Sequence, residues 1–214
     1  MNIIYLLFHG LSPYSGISKK ILYQVKGLEA CGHQVSLCTY CIADNSHRVR
    51  MINGEIIADY GTGKLAAARK RVSYHCIYHY AVAHRVELIY VRSFHNANPF
   101  TIRLFSKLRK AGIKIAMEIP TYPYDSEYAG FPLVTRLGIQ VDKVFRKTLA
   151  EHVNAIVTFS DHHHIFGQRT IQISNGVDFD SIPLKKTVSK NTSVIHLLGV
   201  AEVHYWHGYD RLID

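Results

Sequence analysis

A loop rich in tyrosine, proline and carboxylates follows an apolar segment at residues 114–119. It reads Glu118-Ile119-Pro120-Thr121-Tyr122-Pro123-Tyr124-Asp125. Carboxylates accept hydrogen bonds from sugar hydroxyls, and an aromatic ring can cover the C–H side of a sugar. Because loops at strand ends commonly carry binding residues, we predict that Glu118, Tyr122 and Asp125 contact a carbohydrate. A rigid surface loop with packed tyrosines is the alternative.

A second candidate is the loop at residues 9–16, between an apolar run and an amphipathic segment. Gly16 lacks a Cβ, so the backbone there can approach a ligand closely. The N–H groups of Ile17 and Ser18 would point at an anion if a helix begins here. The pattern is neither G-x-G-x-x-G nor a P-loop. A ligand contact and a simple turn both stay open for Gly16.

Histidine and cysteine patterns do not favour a metal site. The side chains of three adjacent residues, His162–His164, point in different directions and cannot all ligate one ion. Ser160 or Asp161 can instead cap a helix whose first turn holds these histidines. Cys38 and Cys41 have C-x-x-C spacing without a second such pair, which is typical of reduced thiols. We expect neither a metal nor another cofactor.

Strand-like and helix-like segments alternate along the chain. Continuous apolar runs predict strands at 2–8, 34–40, 87–91, 114–119, 155–159 and 170–173. Helical spacing of apolar residues predicts helices at 17–31, 64–84, 99–111 and 132–152. Residues 41–63 are expected to be irregular. This order predicts an α/β fold with a doubly wound parallel sheet.

One helix has clear signals at both ends. Asn98 and Pro99 form an N-cap and first-turn pair, and Gly112 is placed to end the helix. Its apolar residues are expected to face inward; they are Phe100, Leu104, Phe105 and Leu108.

Composition changes near the end of the chain predict a second domain. Residues 1–185 are expected to form the first domain and 186–193 a polar linker. Residues 194–214 then restart a strand, loop and helix pattern. One strand and two helical turns cannot bury a core, so we expect this segment either to pack on the first domain or to begin a domain of a longer protein.

The formal net charge is +9, and no apolar run is long enough to span a membrane. Such a charge favours an anionic membrane surface or phosphate-bearing substrates as partners. No recognised motif supports nucleic acid. We expect a cytoplasmic protein, peripheral at the inner membrane face. Two basic helix faces are candidates for that contact: Arg103, Lys107 and Lys110, and Lys143, Arg146 and Lys147.

Three segments together resemble the retaining glycosyltransferases of family 4 (group 1), which have the two-Rossmann GT-B fold. Residues 28–35, LEACGHQV, are similar to the family's L-x-x-x-G-H-x-V stretch. Residues 155–160, AIVTFS, and 173–178, ISNGVD, resemble the strand before the P-N-G-V-D box and the box itself. Residues 197–213 look like the first strand, loop and helix of the donor-binding domain.

The resemblance implies transfer of a sugar from a nucleotide-sugar donor to a glycan or lipid-linked acceptor, with retention and without a metal. This chain would supply the acceptor-side half and would be inactive alone. Gly16, Glu118, Tyr122 and Asp125 would line the acceptor site. The wall of the interdomain cleft would be formed by Ser160, Asn175, Gly176 and Asp178.

Three positions depart from the family pattern. Val200 and His207 stand where members often carry the arginine and lysine that grip donor phosphate. Many members carry a histidine after the fourth strand, where this chain has Glu118-Ile119-Pro120. The catalytic residues are therefore unassigned. A non-catalytic Rossmann-like module that binds an anionic ligand or a partner protein is the alternative function.

Overall fold

The computed structural model describes residues 1–93, 95–124, 133–183, 209 and 211. The chain divides into two compact units, Met1–Val177 and Asp178–Asp214. In the second unit the described residues include one turn of 3-10 helix, Phe179–Ser181. The predicted linker, and all of the predicted donor-domain start except residues 209 and 211, lie outside the described residues. The division at 185 therefore stays a prediction.

The described part of the first unit is built from nine strands and five helices. The strands are β1 (Asn2–Leu6), β2 (Gln34–Ile42), β3 (Arg48–Ile52), β4 (Glu55–Asp59), β5 (Leu88–Arg92), β6 (Lys114–Ile119), β7 (Ala155–Thr158), β8 (His164–Ile165) and β9 (Gln168–Gln172). The helices are α1 (Gly16–Ala30), α2 (Gly63–Val72), α3 (His75–Ala83), α4 (Pro99–Lys110) and α5 (Leu133–Glu151). None of the described helices is both long and apolar enough to cross a bilayer.

The strands form one sheet in the order β4-β3-β2-β1-β5-β6-β7-β9-β8. The six strands from β2 to β9 across the centre pair in parallel, and β3, β4 and β8 add antiparallel edges. The predicted α/β, doubly wound fold is thus confirmed. The chain leaves β1 toward β2 on one side and later adds β5 on the other, so the strand order reverses between β1 and β5. Open α/β sheets bind ligands at such a reversal, outside the carboxyl ends of the strands.

The two faces of the sheet are covered unequally. Because side chains alternate along a strand, Ile4 and Leu6 of β1 join a large core that includes residues of α3, α4 and α5. Tyr5 and Leu7 point to the other face and pack with Ile21 of α1 in a smaller cluster. That smaller face also holds the polar side chains of the candidate site described below.

Residues 41–63, predicted to be irregular, contain the β3–β4 hairpin instead. Asn53 and Gly54 connect the two strands with φ of 49° and 90°, the left-handed pair that a tight two-residue hairpin turn requires. The Asn-Gly sequence carries this signal. The prediction was wrong because the polar composition was given more weight than the turn chemistry.

The predicted helix at 64–84 is two helices, α2 and α3. Ser73 has extended backbone angles, φ −105° and ψ 102°, which end α2. Tyr74 is buried, and its hydroxyl donates to the carbonyl of Arg71, 2.7 Å away. Burial of this ring accounts for the break, because in one continuous helix the direction of the Tyr74 side chain would be set by the helical turn of α2.

The predicted ends of α4 are confirmed. The Asn98 side chain accepts hydrogen bonds from the N–H groups of Phe100 and Thr101, and Gly112 follows the helix with φ of 81°. Leu104 is buried as expected, with Phe105 and Leu108. Phe100 was predicted to face inward but is 47% exposed, because it lies at the edge of the helix face on which Thr101 and the other buried residues of α4 lie.

The helix predicted at His162–His164 is absent. These residues lead into β8, which pairs with β9 across a turn at Phe166 and Gly167, with φ of 53° and 85°. The β8–β9 hairpin forms here in place of a capped helix because it buries Ile165 fully in the core while the three histidines stay exposed.

Candidate functional site

A cavity of about 630 Å³ opens at the carboxyl ends of β1, β5 and β6. Its position is the strand-order reversal, where ligands of open α/β sheets bind. The volume lies in the range of small-molecule sites. The lining residues come from four segments: His9, Gly10, Ser12 and Ser15; Gly16, Ile17, Ser18 and Lys20; Arg92, Ser93 and His95; and Ile119, Pro120, Thr121 and Tyr124.

The N-terminus of α1 forms one wall of this cavity. Ser15 is the N-cap in extended conformation, and its side chain makes no capping bond to the helix. The first-turn N–H groups of a helix have no intrahelical partner and carry partial positive charge. A Cβ at Gly16 would meet no atom of the protein within 4 Å. Packing therefore does not require glycine there, and Gly16 lines the cavity.

A buried ion pair lies against this cavity. Arg92 ends β5 and Glu118 lies opposite it in β6, so the sheet register itself places them side by side. An Arg92 Nη1 hydrogen bond reaches Glu118 Oε1. Lys20 of α1 approaches the same oxygen, with Nζ at 3.7 Å, and its ammonium also sits 3.5 Å from the centre of the Phe159 ring. Glu118 is fully buried, whereas Arg92 and Lys20 line the cavity.

The second oxygen of Glu118 is also occupied. Tyr90 donates its hydroxyl to Oε2 at 2.7 Å, and Gln24 donates its side-chain amide at 2.9 Å. The Gln24 carbonyl in turn accepts from the hydroxyl of Tyr5 at 2.6 Å. The carboxylate is therefore satisfied entirely by protein donors, as a buried charge must be. These contacts fix Glu118 as the centre of a network rather than as an exposed acceptor.

Burial shifts several pKa values around this network. Burial, and then the negative Glu118, raises the pKa of Tyr90 and of Tyr5, so both phenols stay protonated and can donate. Burial lowers the pKa of Lys20, and Glu118 opposes that change. Burial also lowers the pKa of His9, which favours the neutral ring at pH 7. Among the described lining residues there is no carboxylate, and the two cations Arg92 and Lys20 outnumber the single buried carboxylate of Glu118 behind them.

The predicted acceptor residues are only partly brought together. Gly16 lines the cavity, and Glu118 lies behind two of its lining residues. Tyr122 is not among the lining residues; its ring packs against His162 and Phe166, with ring centres 4.9 and 5.5 Å away. Asp125 lies outside the described residues.

Tyr124 occupies the place in this wall that was predicted for Tyr122. It is a lining residue, its hydroxyl donates to Asp142 Oδ2 at 2.8 Å, and its ring lies 4.8 Å from that of His95. The peptide bond between Tyr122 and Pro123 is cis.

The residues predicted for the interdomain cleft lie elsewhere on the chain, and their role stays a prediction. Ser160 follows β7, and its hydroxyl hydrogen-bonds with Thr158 Oγ1 and with a ring nitrogen of His162, at 3.0 and 3.1 Å. Asn175 and Gly176 are exposed after β9. Asp178 belongs to the second unit, where its carbonyl accepts from the Ser181 hydroxyl.

Sequence reasoning missed the two cations of the site. Arg92 is a charged residue at the end of an otherwise apolar run, directly before a loop, and that position is a readable signal. Lys20 lies one helical turn into α1 among other polar residues. Only the packing of α1 on the sheet distinguishes it from its exposed neighbour Lys19.

Comparison of the chain with protein-family models, curated proteins and solved structures found no match.

Proposed function

We propose that the cavity binds a phosphate-bearing ligand. The observation that carries this proposal is the convergence of Arg92, Lys20 and the N-terminus of α1 on one cavity whose described lining holds no carboxylate. Arginine pairs with two phosphate oxygens at once, and lysine supplies a compact positive charge. Helix N–H groups add further donors for an anion. Serine hydroxyls at positions 12, 15 and 18 suit the remaining polar groups of such a ligand.

In this proposal Glu118 positions the cations and does not touch the ligand. Its Oε1 atom contacts both Arg92 and Lys20, so their side chains are held in place before a ligand arrives. Pre-organisation of this kind lowers the conformational cost of binding. The acceptor hydroxyl role first predicted for Glu118 is replaced here by this positioning role.

The reaction we propose is the one that the family resemblance implies. A nucleotide-sugar and a lipid-linked or phosphorylated glycan acceptor both carry phosphate, so either could place it in this cavity. The chain would then supply the acceptor-side half of a retaining, metal-independent glycosyltransferase. What supports this proposal is that the cavity lies between the two loops that the resemblance assigns to the acceptor site, the loop that ends at Gly16 and the loop after Glu118.

The binding step is tested by calorimetric titration with inorganic pyrophosphate and with a panel of nucleotide-sugars. Lys20→Met and Arg92→Met should each weaken binding roughly tenfold, the value of one charge-assisted hydrogen bond. Lys19→Met is the matched control, since Lys19 is exposed on the same helix and does not line the cavity. Equal affinity in all three variants would refute the assignment of the cavity.

The transfer step needs a separate test, because a non-catalytic module would also bind phosphate. The full-length protein is incubated with each nucleotide-sugar and a lipid-diphosphate or glycan acceptor, and release of the nucleotide is followed. Release that depends on acceptor and is lost in Arg92→Met supports the transferase. Binding without release in every pairing supports the module.

A second candidate function, contact with an anionic membrane surface, is favoured by helix α5. Four large apolar side chains are exposed on it at spacings of four, four and three residues: Leu133, Leu137, Val141 and Val144. At 100° per residue these side chains form one stripe. Arg136 and Lys147 are exposed on one flank of that stripe. An apolar stripe bordered by basic residues is the pattern of a helix that lies in a lipid interface.

The basic faces predicted from sequence fit this contact only in part. Arg146 was predicted to face a membrane, but its guanidinium stacks on Phe166, 4.6 Å from the ring centre, and is therefore held within the fold. Co-sedimentation with vesicles tests the α5 contact. Leu137→Ser with Val144→Ser should abolish binding to anionic vesicles, whereas Leu65→Ser, an exposed leucine on α2, should not. Equal loss in both variants would refute α5 as the contact.

A further inference from the structure

A group of basic side chains gathers around the ring of Tyr40, near the carboxyl end of β2. Lys70 of α2 places its Nζ atom 3.7 Å from the centre of this ring. Arg48, the first residue of β3, donates from Nη1 to the Tyr40 hydroxyl at 2.9 Å. Arg71 follows Lys70 in the last turn of α2. A hairpin strand and a helix thus bring three cations to one corner of the sheet.

These cations are not neutralised by the described part of the protein. Within it, Arg48, Lys70 and Arg71 form no salt bridge; the salt bridges there join Glu118 to Lys20 and Arg92, and His47 to Asp59. The Arg48 Nε atom is buried and has no hydrogen-bond partner. Like charges held together without a counter-ion destabilise the fold unless another anion satisfies them.

The charge state of Lys70 reflects this crowding. Burial lowers the pKa of Lys70 to about 8, and repulsion from Arg71, Arg48 and Arg50 adds to the effect. These arginines and Tyr40 are the charged or titratable groups from β2, β3 and α2 that face Lys70. Arginine stays protonated throughout the accessible range, so Lys70 is the group of this cluster that loses its charge near pH 8.

We propose that Arg48, Lys70 and Arg71 form a second phosphate-binding site, separate from the cavity at the strand-order reversal. None of the three lines that cavity. A phosphate group would supply the missing negative charge, and its oxygens could accept from the half-buried Lys70 and the exposed Arg71. The contact of the Lys70 ammonium with the Tyr40 ring holds it in place.

The second site touches the first through Tyr40. The carbonyl of Tyr40 packs against Gly10, which lines the cavity; a Cβ on Gly10 would come within 2.8 Å of that oxygen. Both sites therefore lie along the carboxyl edge of the sheet. The phosphate is carried either by a soluble compound or by a lipid headgroup, and both present the same oxygens.

Calorimetric titration with inorganic pyrophosphate tests the soluble source. Lys70→Met should weaken binding at this site roughly tenfold, since it removes one charged partner of the phosphate. Lys64→Met, an exposed lysine of the same helix, is the control and should bind as the unmodified protein does. Arg92→Met should leave the Lys70-dependent binding intact, so failure of this site and failure of the cavity are distinguished.

Vesicles containing phosphatidic acid test the lipid source with the same variants. Binding to either probe that falls in Lys70→Met and not in Lys64→Met supports the site and identifies its source. Because the ligand favours protonated Lys70, that binding should also weaken as pH rises through 8, and this pH dependence should be absent in Lys70→Met. Equal binding of both probes by the two variants overturns the proposal.

Discussion

Replacing Glu118 with glutamine should destabilise the fold far more than its conservative shape suggests. The substitution keeps the volume but removes the charge that neutralises Arg92, which is 6% exposed. It also replaces one acceptor oxygen by an amide NH2 group, which is itself a donor. Arg92, Tyr90 and Gln24 all donate to this carboxylate, so one of them would lose its acceptor. Removing one partner of a buried ion pair costs about 3–5 kcal/mol.

That cost is large against the total stability of a domain, about 5–15 kcal/mol. With a urea m-value of about 2 kcal/mol per molar, the unfolding midpoint of Glu118→Gln should fall by about 2 M. Unfolding is followed by circular dichroism at pH 7. A fall in unfolding free energy of less than about 1 kcal/mol would refute the account of Glu118 as a buried charge held by its partners.

A double-mutant cycle separates the ion pair from the rest of the network. Arg92→Met alone leaves Glu118 with Lys20, Tyr90 and Gln24, so it should cost less than Glu118→Gln. The double variant removes both charges together and should be more stable than the sum of the single effects predicts, by about 2 kcal/mol. Additive effects would show that the pair is not coupled and would contradict the geometry.

Four further outcomes are expected. Because burial lowers the pKa of His9, the unfolded chain binds its proton first; stability should fall as pH drops below about 6.5, and His9→Gln should reduce that fall in urea titrations at pH 5 and 7. Gly10→Ala should cost about 1–3 kcal/mol by clash with the Tyr40 carbonyl. Gly16→Ala should leave stability nearly unchanged, and Gly16→Val should impair ligand binding while the protein still folds. Asn98→Ala should lower the free energy of unfolding by about 1 kcal/mol through loss of the α4 cap.

Much of the fold could be predicted because each central strand is an apolar run bounded by turn residues. β6 was predicted at its observed bounds, and α4 was marked at both ends by Asn98 and Gly112. The strands at the edges of the sheet were not predicted, for a common reason. β3 and β4 are short and polar enough to resemble a loop, and β8 has only two residues.

The candidate site was predicted less completely than the fold. Its location could be inferred, since Gly16 and the loop after β6 do border one cavity. The role of Glu118 could not be inferred, because the local sequence around a carboxylate at a strand end is the same whether the carboxylate faces solvent or a buried arginine. Distinguishing the two needs the pairing of β5 with β6, which places Arg92 opposite Glu118. That pairing is a long-range property and leaves no mark in the local sequence around either residue.

The same pairing limits what the cavity can do chemically. Both oxygens of Glu118 are engaged by protein donors, so this carboxylate is a poor candidate for a general base or a nucleophile in the closed network. His9 and His95 line the cavity, and the low pKa of His9 favours a neutral ring that can accept a proton. A proton transfer at this cavity would therefore fall to a histidine after β1 or β5. Such a group would follow β1 or β5, whereas the family pattern carries a histidine after the strand that corresponds to β6.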